Sequence, residues 1–227
     1  MAELYGDVRY IKGIGESRAK SLAKLGITSL YGLVSYFPRA YEDRSREVPL
    51  ADTADGEFAT VKAYICTQPQ AHLVRRGMEL LKFDITDGTA RCGVTFFNQA
   101  YLKNQLHRGD EYSFYGKFQR TGNFITLANP VFETEEKTEM LGRIVPIYRL
   151  TAGVSQKLLV RSITQGLEAI SEGLPEILPA AVRSKYGLID VVSAYRMIHA
   201  PQSEAEIDTA RTRLMFEELF VLAAALE

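Results

Sequence analysis

The sequence predicts an α+β chain of more than one domain, with a five-stranded Greek-key barrel between a helical N-terminal region and a helical C-terminal region. Three observations predict it. Apolar–polar alternation with a period of two recurs in five runs between Phe58 and Phe132. One short helix-like insert splits those runs into three and two. On both sides of the runs the apolar period becomes that of a helix.

Residues 1–50 form the first block. Ala19, Leu22, Ala23 and Leu25 make an apolar stripe at helical spacing, and Gly26 supplies a stop signal. A second apolar stretch runs from Leu30 to Phe37 before Pro38. Residues 51–135 form the strand-rich block, with strands at Phe58–Ile65, Glu79–Thr86, Ala90–Phe97, Glu111–Phe118 and Asn123–Phe132. Asn98–Gln105 reads as a short helix between the third and fourth strands. That element order is the order of an OB-fold, whose second and third strands and flanking loops bind nucleic acid or sugars. The acidic run Glu133–Glu139 reads as a hinge or short linker.

Residues 136–227 return to helix. The expected pieces are Ser155–Ile170, Leu178–Tyr186, Val191–His199 and Glu204 to the end, punctuated by Gly173, Pro175, Pro179, Gly187 and Pro201. Phe216, Leu219, Phe220, Ala223 and Ala224 make a helical stripe in an almost wholly apolar tail, a surface that needs a partner. The chain therefore reads as a fragment cut before another domain, with a last helix that self-associates or folds back.

Composition narrows the function classes. A 46% apolar fraction over 227 residues supplies a sizeable core. The net charge of −1 means that any nucleic-acid site must be local. Cys66 and Cys92 lack metal spacing and read as small strand residues in a reduced compartment. No apolar run is long enough to span a membrane and no secretory h-region is present, so the cytoplasm is the expected location. No P-loop occurs, and His72, His107 and His199 are isolated. Asp84 and Asp87 read as strand and turn residues, so neither a catalytic residue nor a metal site is expected.

The barrel face carries the first candidate site. In the second strand Leu81, Phe83 and Ile85 share one side and Lys82, Asp84 and Thr86 the other, and Asp87-Gly88 is a hairpin turn into the third. There Ala90, Cys92, Val94 and Phe96 face inward, so Phe97 falls on the polar face with Arg91, Gly93 and Thr95. Tyr101 follows about one helical turn later. The outward positions include Lys62, Tyr64, Lys82, Arg91, Lys103, Tyr115 and Lys117. The loop between the first two strands adds His72, Arg75 and Arg76, and the loop between the last two adds Arg120. From Arg75 to Arg120 eight basic residues stand against five acids, enough local excess to neutralise phosphates while rings stack on bases. Packing of Phe97 under the insert, with the charges as a solvated face, is the alternative.

A second candidate is the Lys12-Gly13-Ile14-Gly15 turn that opens a helix at Glu16-Ser17-Arg18-Ala19. It resembles a helix-hairpin-helix element, in which free N–H groups hold a phosphate, and Lys20 adds charge. A scaffold that touches no DNA is the alternative. A dinucleotide fingerprint fails, because Arg18 stands where a third glycine is needed. The cluster from Pro38 to Ser45 is either an interdomain clasp or a solvated connection.

Several segments together resemble the N-terminal, wedge-containing part of the RecG family of ATP-dependent branched-DNA helicases. They are the Gly13-Ile14-Gly15 helical start, Phe37-Pro38-Arg39-Ala40-Tyr41-Glu42-Asp43-Arg44, and Phe96-Phe97-Asn98-Gln99-Ala100-Tyr101-Leu102. Gly109-Asp110 leading to Tyr115-Gly116-Lys117, Gly142 to Tyr148, and Arg211 to Leu219 continue the pattern over most of the chain. The resemblance implies a wedge at the branch point of stalled forks and Holliday junctions, in recombination and repair. Phe97 and Tyr101 match the family's stacking pair, and the expected phosphate contacts are Arg75, Arg76, Lys82, Arg91, Lys103, Lys117 and Arg120. It also implies an ATP- and Mg-dependent motor beyond Glu227 that this chain lacks. The expected partners are branched DNA, that motor, and a single-stranded-DNA-binding protein, whose acidic tail is the rival occupant of the cationic face. The expected place is the bacterial nucleoid.

Overall fold

The computed structural model describes residues 4–134, 140–170 and 173–226. In chain order the elements are α1 Glu16–Ala23, α2 Leu30–Val34, β1 Ala40–Asp43, β2 Phe58–Ile65, β3 Gln70–Arg75, β4 Met78–Thr86 and β5 Arg91–Phe97. They continue with β6 Glu111–Thr121, β7 Phe124–Ala128, β8 Val131–Glu133, β9 Ile144–Ile147, α3 Gln156–Ala169, α4 Ala180–Tyr186, α5 Val191–His199 and α6 Glu204–Ala225. Short 3-10 turns occupy Val8–Tyr10, Leu50–Asp52 and Ala100–Asn104. These pack as two compact units, Asp43–Arg143 and the remainder on either side of it. The grouping of units thus does not follow chain order, whereas the expected blocks, 1–50, 51–135 and 136–227, do.

The unit from Asp43 to Arg143 is the OB barrel. Its strands run in the order β2-β4-β5-β7-β6, and β6 pairs back onto β2 to close the ring. The β5–β7 pair is parallel and the others antiparallel. Alternation carries the core: Leu81, Phe83, Ile85, Val94, Phe96, Phe114 and Phe118 all point inward and are buried. Each fully buried side chain of this kind contributes about 1.5–3 kcal/mol. Asp87 pins the β4–β5 turn to the barrel end. It accepts the Leu50 N–H at 2.7 Å and the Thr89 and Ala90 N–H groups at 2.9 and 3.3 Å. Partial burial works to raise its pKa, but those bonds together hold it below the ordinary carboxylate value.

The barrel departs from the sequence expectation in several places. The sheet has seven strands, because β3 forms a hairpin with β4 where a loop was expected, and β8 adds to β6. The run Asn123–Phe132 is two strands, split at Asn129-Pro130 where proline has no N–H to donate. The insert is a 3-10 turn at Ala100–Asn104, not an α-helix. Tyr115, in an outward register, is 5% exposed because the Arg44 guanidinium covers its ring at 4.5 Å and Phe58 lies at 5.9 Å. Glu133 ends β8 rather than opening a linker, and its carboxylate accepts the N–H groups of Met140 at 2.9 Å and Leu141 at 3.1 Å. The rest of the expected hinge, Glu135–Glu139, lies outside the described residues.

The other unit joins the chain's two ends. Residues 1–50 are not wholly helical, since β1 pairs with β9 and the Arg39 N–H reaches Ile147 O at 2.9 Å. Ser29, Ser155, Asp190 and Ser203 each cap a helix by accepting a backbone N–H. Helices α2 and α3 pack closely at Gly166, where an added Cβ would lie 3.1 Å from Val34 and 3.2 Å from Leu30. The described end of α6 leaves Leu219, Leu222 and Leu226 exposed.

His199 lies at the centre of this unit. Its Nδ1 is 2.8 Å from the Tyr148 hydroxyl and its Nε2 is 2.6 Å from Val34 O. The tautomer that satisfies both donates from Nε2 to the carbonyl and accepts at Nδ1. Burial pushes the imidazole down to about 4, against the opposing pull of the Val34 carbonyl. The unfolded chain, with an ordinary value near 6.5, therefore binds the proton first. Stability is full above that value and falls as pH drops from 6.5 toward 4, by about 3 kcal/mol at most. Denaturant midpoints across this window should lose that extra slope in His199→Gln; parallel profiles for the two proteins would contradict the assignment.

Candidate nucleic-acid interface

Phe97 ends β5 on the outer face of the barrel, and its ring is 39% exposed. Two asparagines in left-handed backbone conformation hold it. Asn98, at φ 54°, turns the chain out of β5 and exchanges bonds with Glu79 on β4: its N–H donates to Glu79 O at 2.8 Å, and its Oδ1 accepts the Glu79 N–H at 3.0 Å. Asn129, at φ 45°, donates its N–H to Thr95 O and accepts the Phe97 N–H on Oδ1 at 2.9 Å. Asparagine tolerates this backbone better than other residues with a Cβ, and its side chain bonds locally. The ring is thus presented from a backbone fixed on both sides.

Tyr101 lies in the 3-10 turn that follows. Leu102 and Leu106 are buried in the barrel core, which anchors the turn and leaves the Tyr101 ring 61% exposed. Its hydroxyl donates to Gln99 Oε1 at 3.3 Å, and Gln99 Nε2 is 3.4 Å from Asn129 Oδ1. A polar chain therefore links the two aromatic positions through Gln99 and Asn129.

The expected cations fall into three groups. Arg75 and Arg76 sit at the tip of the β3–β4 hairpin, with Leu73 and Val74 exposed beside them. Val74 is the bulge residue, where the register shifts between Leu73 and Arg75. Lys82 on β4, Lys103 on the 3-10 turn and Lys117 on β6 are exposed. Arg91 is exposed too, but its Nη2 bonds Asp84 Oδ2 at 2.7 Å, and that bond and charge raise its pKa.

Arg120 stands apart. It lies within β6, two residues past inward-facing Phe118, and so points along the inner register. Its Nη2 donates to Leu50 O at 2.9 Å and Ala51 O at 2.6 Å, which closes the barrel end. The Lys12-Gly13-Ile14-Gly15 turn belongs to the helical unit. Gly13 has φ +86°, the Arg18 guanidinium occupies Gly13 O at 2.6 Å, and Glu16 in the first turn of α1 pairs with Lys20 at 2.9 Å. A carboxylate already stands at the positive end of that helix.

Asn98, Asn129 and the β3 hairpin were not singled out by the sequence reading; the Asn-Pro pair at 129–130 and the Arg76-Gly77 turn were the available signals. Among the described residues no group of three His, Cys, Asp or Glu side chains can hold a metal ion. None of their helices is long and apolar enough to cross a membrane. Cys66 and Cys92 are free, and burial pushes the Cys92 thiol up to about 12.

A family model described as the RecG wedge domain matches residues 7–170. The chain belongs to the RecG wedge family. It is 35% identical over 230 residues to the ATP-dependent DNA helicase RecG of Thermotoga maritima, covering 99% of this chain and 29% of that protein. With RecG of Streptococcus pneumoniae it shares 32% identity over 228 residues, covering 99% and 32%. The chain thus spans about a third of the length of these curated relatives. A solved structure of RecG bound to a three-way DNA junction superposes with a TM-score of 0.85 at 34% identity, over 98% of this chain and 31% of that one.

Proposed function

We propose that this chain is the DNA-splitting wedge of a RecG-type helicase, acting at branched DNA such as stalled forks and Holliday junctions in recombination and repair. The observation that carries the reading is the exposed pair Phe97 and Tyr101 at one rim of a rigid barrel, with their backbones fixed through Asn98, Asn129 and a buried Leu102. A flat ring on an immobile support stacks on a base that has lost its partner, and does so with little sequence preference. Arg75, Arg76, Lys82, Lys103 and Lys117, with the remaining donors of Arg91, hold phosphates on the strands that emerge. Strand separation then needs no chemistry within the chain. A motor elsewhere in the longer protein, fuelled by ATP with Mg, draws duplex past the obstacle. The setting is the bacterial cytoplasm, at the nucleoid.

Fluorescence anisotropy with a three-way fork and a linear duplex at matched salt tests the reading. The fork is expected to bind more tightly, and equal binding of both would remove the wedge. Affinity for the fork should fall linearly on logarithmic axes as salt rises, with a slope of about −0.7 to −0.9 for each phosphate neutralised. A salt-independent complex would mean that the cationic residues are not on the backbone.

The exposed Leu73 and Val74 beside Arg75 and Arg76 favour a second reading, docking of an acidic, apolar peptide such as the tail of a single-stranded-DNA-binding protein. That complex would survive loss of Phe97 and Tyr101.

A further inference from the structure

We propose that the cleft between α6 and the facing side of α2 and α5 docks an amphipathic helix of a partner protein, held by apolar anchors and one basic side chain. The inference is independent of the DNA reading, because every residue involved belongs to the helical unit.

The cleft encloses about 560 Å3, an ordinary size for a binding site. One wall is a single face of α6, on which Arg211, Met215, Glu218 and Val221 follow one another at helical spacing over ~15 Å. Tyr31 on α2, Phe37 just beyond that helix, and Ile177 make up the opposite side. Met215, Val221, Tyr31, Phe37 and Ile177 are all exposed. Apolar side chains scattered singly over a surface are ordinary, but five that line one cleft form a patch that a partner covers.

The chemistry of the cleft selects the occupant. Its walls are helices and short connections, so an extended peptide finds no strand edge to pair with, and affinity must come from side chains. A helix offers such anchors at i, i+4 and i+7. The lining is rich in acceptors around Tyr195. The hydroxyl of that residue lies 3.2 Å from Ser35 Oγ. Burial raises its pKa, the Ser35 bond opposes the rise, and Tyr31 and the Glu217 charge add to it. Glu217 already meets the buried Arg213 guanidinium, whereas Glu218 is exposed and pairs with no described residue. Among the described residues that line the cleft the one cation is Arg211, which lies over the Tyr41 ring at 5.4 Å. A lysine or arginine on the partner therefore finds an unpaired carboxylate at Glu218, reinforced by the charge of Glu217. A second copy of the chain fits poorly. From Leu214 to Glu227 the sequence has three acids and no basic residue, so the apolar end of another α6 would set carboxylates against Glu217 and Glu218.

The probe is a fluorescein-labelled peptide of about fifteen residues, long enough to be helical. It carries leucines at i, i+4 and i+7 and one arginine a turn after the last; its twin has glutamate in place of the arginine. Anisotropy with the whole chain should show the arginine peptide binding about ten-fold or more tightly than its twin. Glu218→Lys should reverse that order, a gain for the glutamate peptide that a misfolded variant could not give. Met215→Ser should weaken both peptides without changing the melting temperature, because the side chain it removes is exposed. Absence of binding by either peptide, equal binding of the two, or an order that Glu218→Lys leaves intact would overturn the proposal. Sedimentation velocity tests the rival occupant: a concentration-dependent dimer that Met215→Ser dissolves would give the cleft to a second copy. Binding to this chain that disappears in the full-length protein would show instead that the cleft is filled from within that protein.

Discussion

Phe97→Ala/Tyr101→Ala is expected to abolish preference for branched over linear DNA while leaving salt-dependent binding to duplex in place. Each stacked base is worth about 1–3 kcal/mol by alanine substitution, so loss of the pair amounts to roughly 30-fold or more in fork affinity. Both side chains are exposed, and the burial that stabilises the barrel belongs to Phe96, Leu102 and Leu106, so the variant should fold normally. The single variants discriminate further. Phe97 stands on the end of β5, fixed by Asn98 and Asn129, whereas Tyr101 stands on a 3-10 turn; the more firmly held ring should account for the larger share. Fork preference unchanged in the double variant would mean that the cations alone recognise the DNA, and would move the peptide-docking reading ahead.

Arg213→Ala is expected to cause a large loss of stability in the helical unit. The residue is fully buried on α6 and joins three elements. Its Nε donates to Ile189 O at 2.9 Å, its Nη2 donates to Glu176 Oε1 at 2.6 Å, and its Nη1 stands 2.6 Å from Glu217 Oε2. The last approach is a charge contact without the angle of a good hydrogen bond. Glu176 in turn accepts the N–H groups of Leu178 and Val191, both at 3.0 Å, and so ties down the segment before α4 and the start of α5. Removing the guanidinium leaves Glu217 without this partner and Glu176 with only the longer Arg183 contact at 3.6 Å, and breaking a fully buried pair in this way costs about 3–5 kcal/mol. Because the Glu176 and Glu217 side chains keep 26% and 17% exposure, the low end of that range applies. Arg213→Lys should fall between, since an ammonium keeps the charge but cannot span both glutamates and the carbonyl. Urea unfolding measures the difference, and a loss below about 1 kcal/mol would show that the pair's desolvation offsets its attraction.

The barrel was legible in the sequence because burial on one side writes a period of two. Leu81, Phe83 and Ile85 set the parity of β4, and Cys92, Val94 and Phe96 set that of β5, which places Phe97 outside without further information. The β3 hairpin escaped notice for the converse reason. Both faces of its tip are solvated, so Leu73 and Val74 are exposed and no alternation marks them. Arg120 was misplaced because β6 runs to Thr121, three residues beyond the last strong apolar position, and carries the inner register with it. Tyr115 has an outward parity, but Arg44, far away in sequence, lies across it. The β1–β9 pairing joins two four-residue strands about a hundred residues apart, too short for either to show a period. Local periodicity therefore reports which side of an element is buried. It does not report what a distant segment lays over the other side, and the asparagine clamp on Phe97 is of that second kind.

The most direct test of the branch-point site is 2-aminopurine fluorescence with the probe at the base next to the junction. Stacking on Phe97 or Tyr101 should change the emission when the chain binds, and the change should vanish in Phe97→Ala/Tyr101→Ala. Moving the probe five base pairs into the duplex should leave the signal flat. An identical response at both positions, or one that survives the double substitution, would show that the aromatic pair does not meet the DNA at its branch.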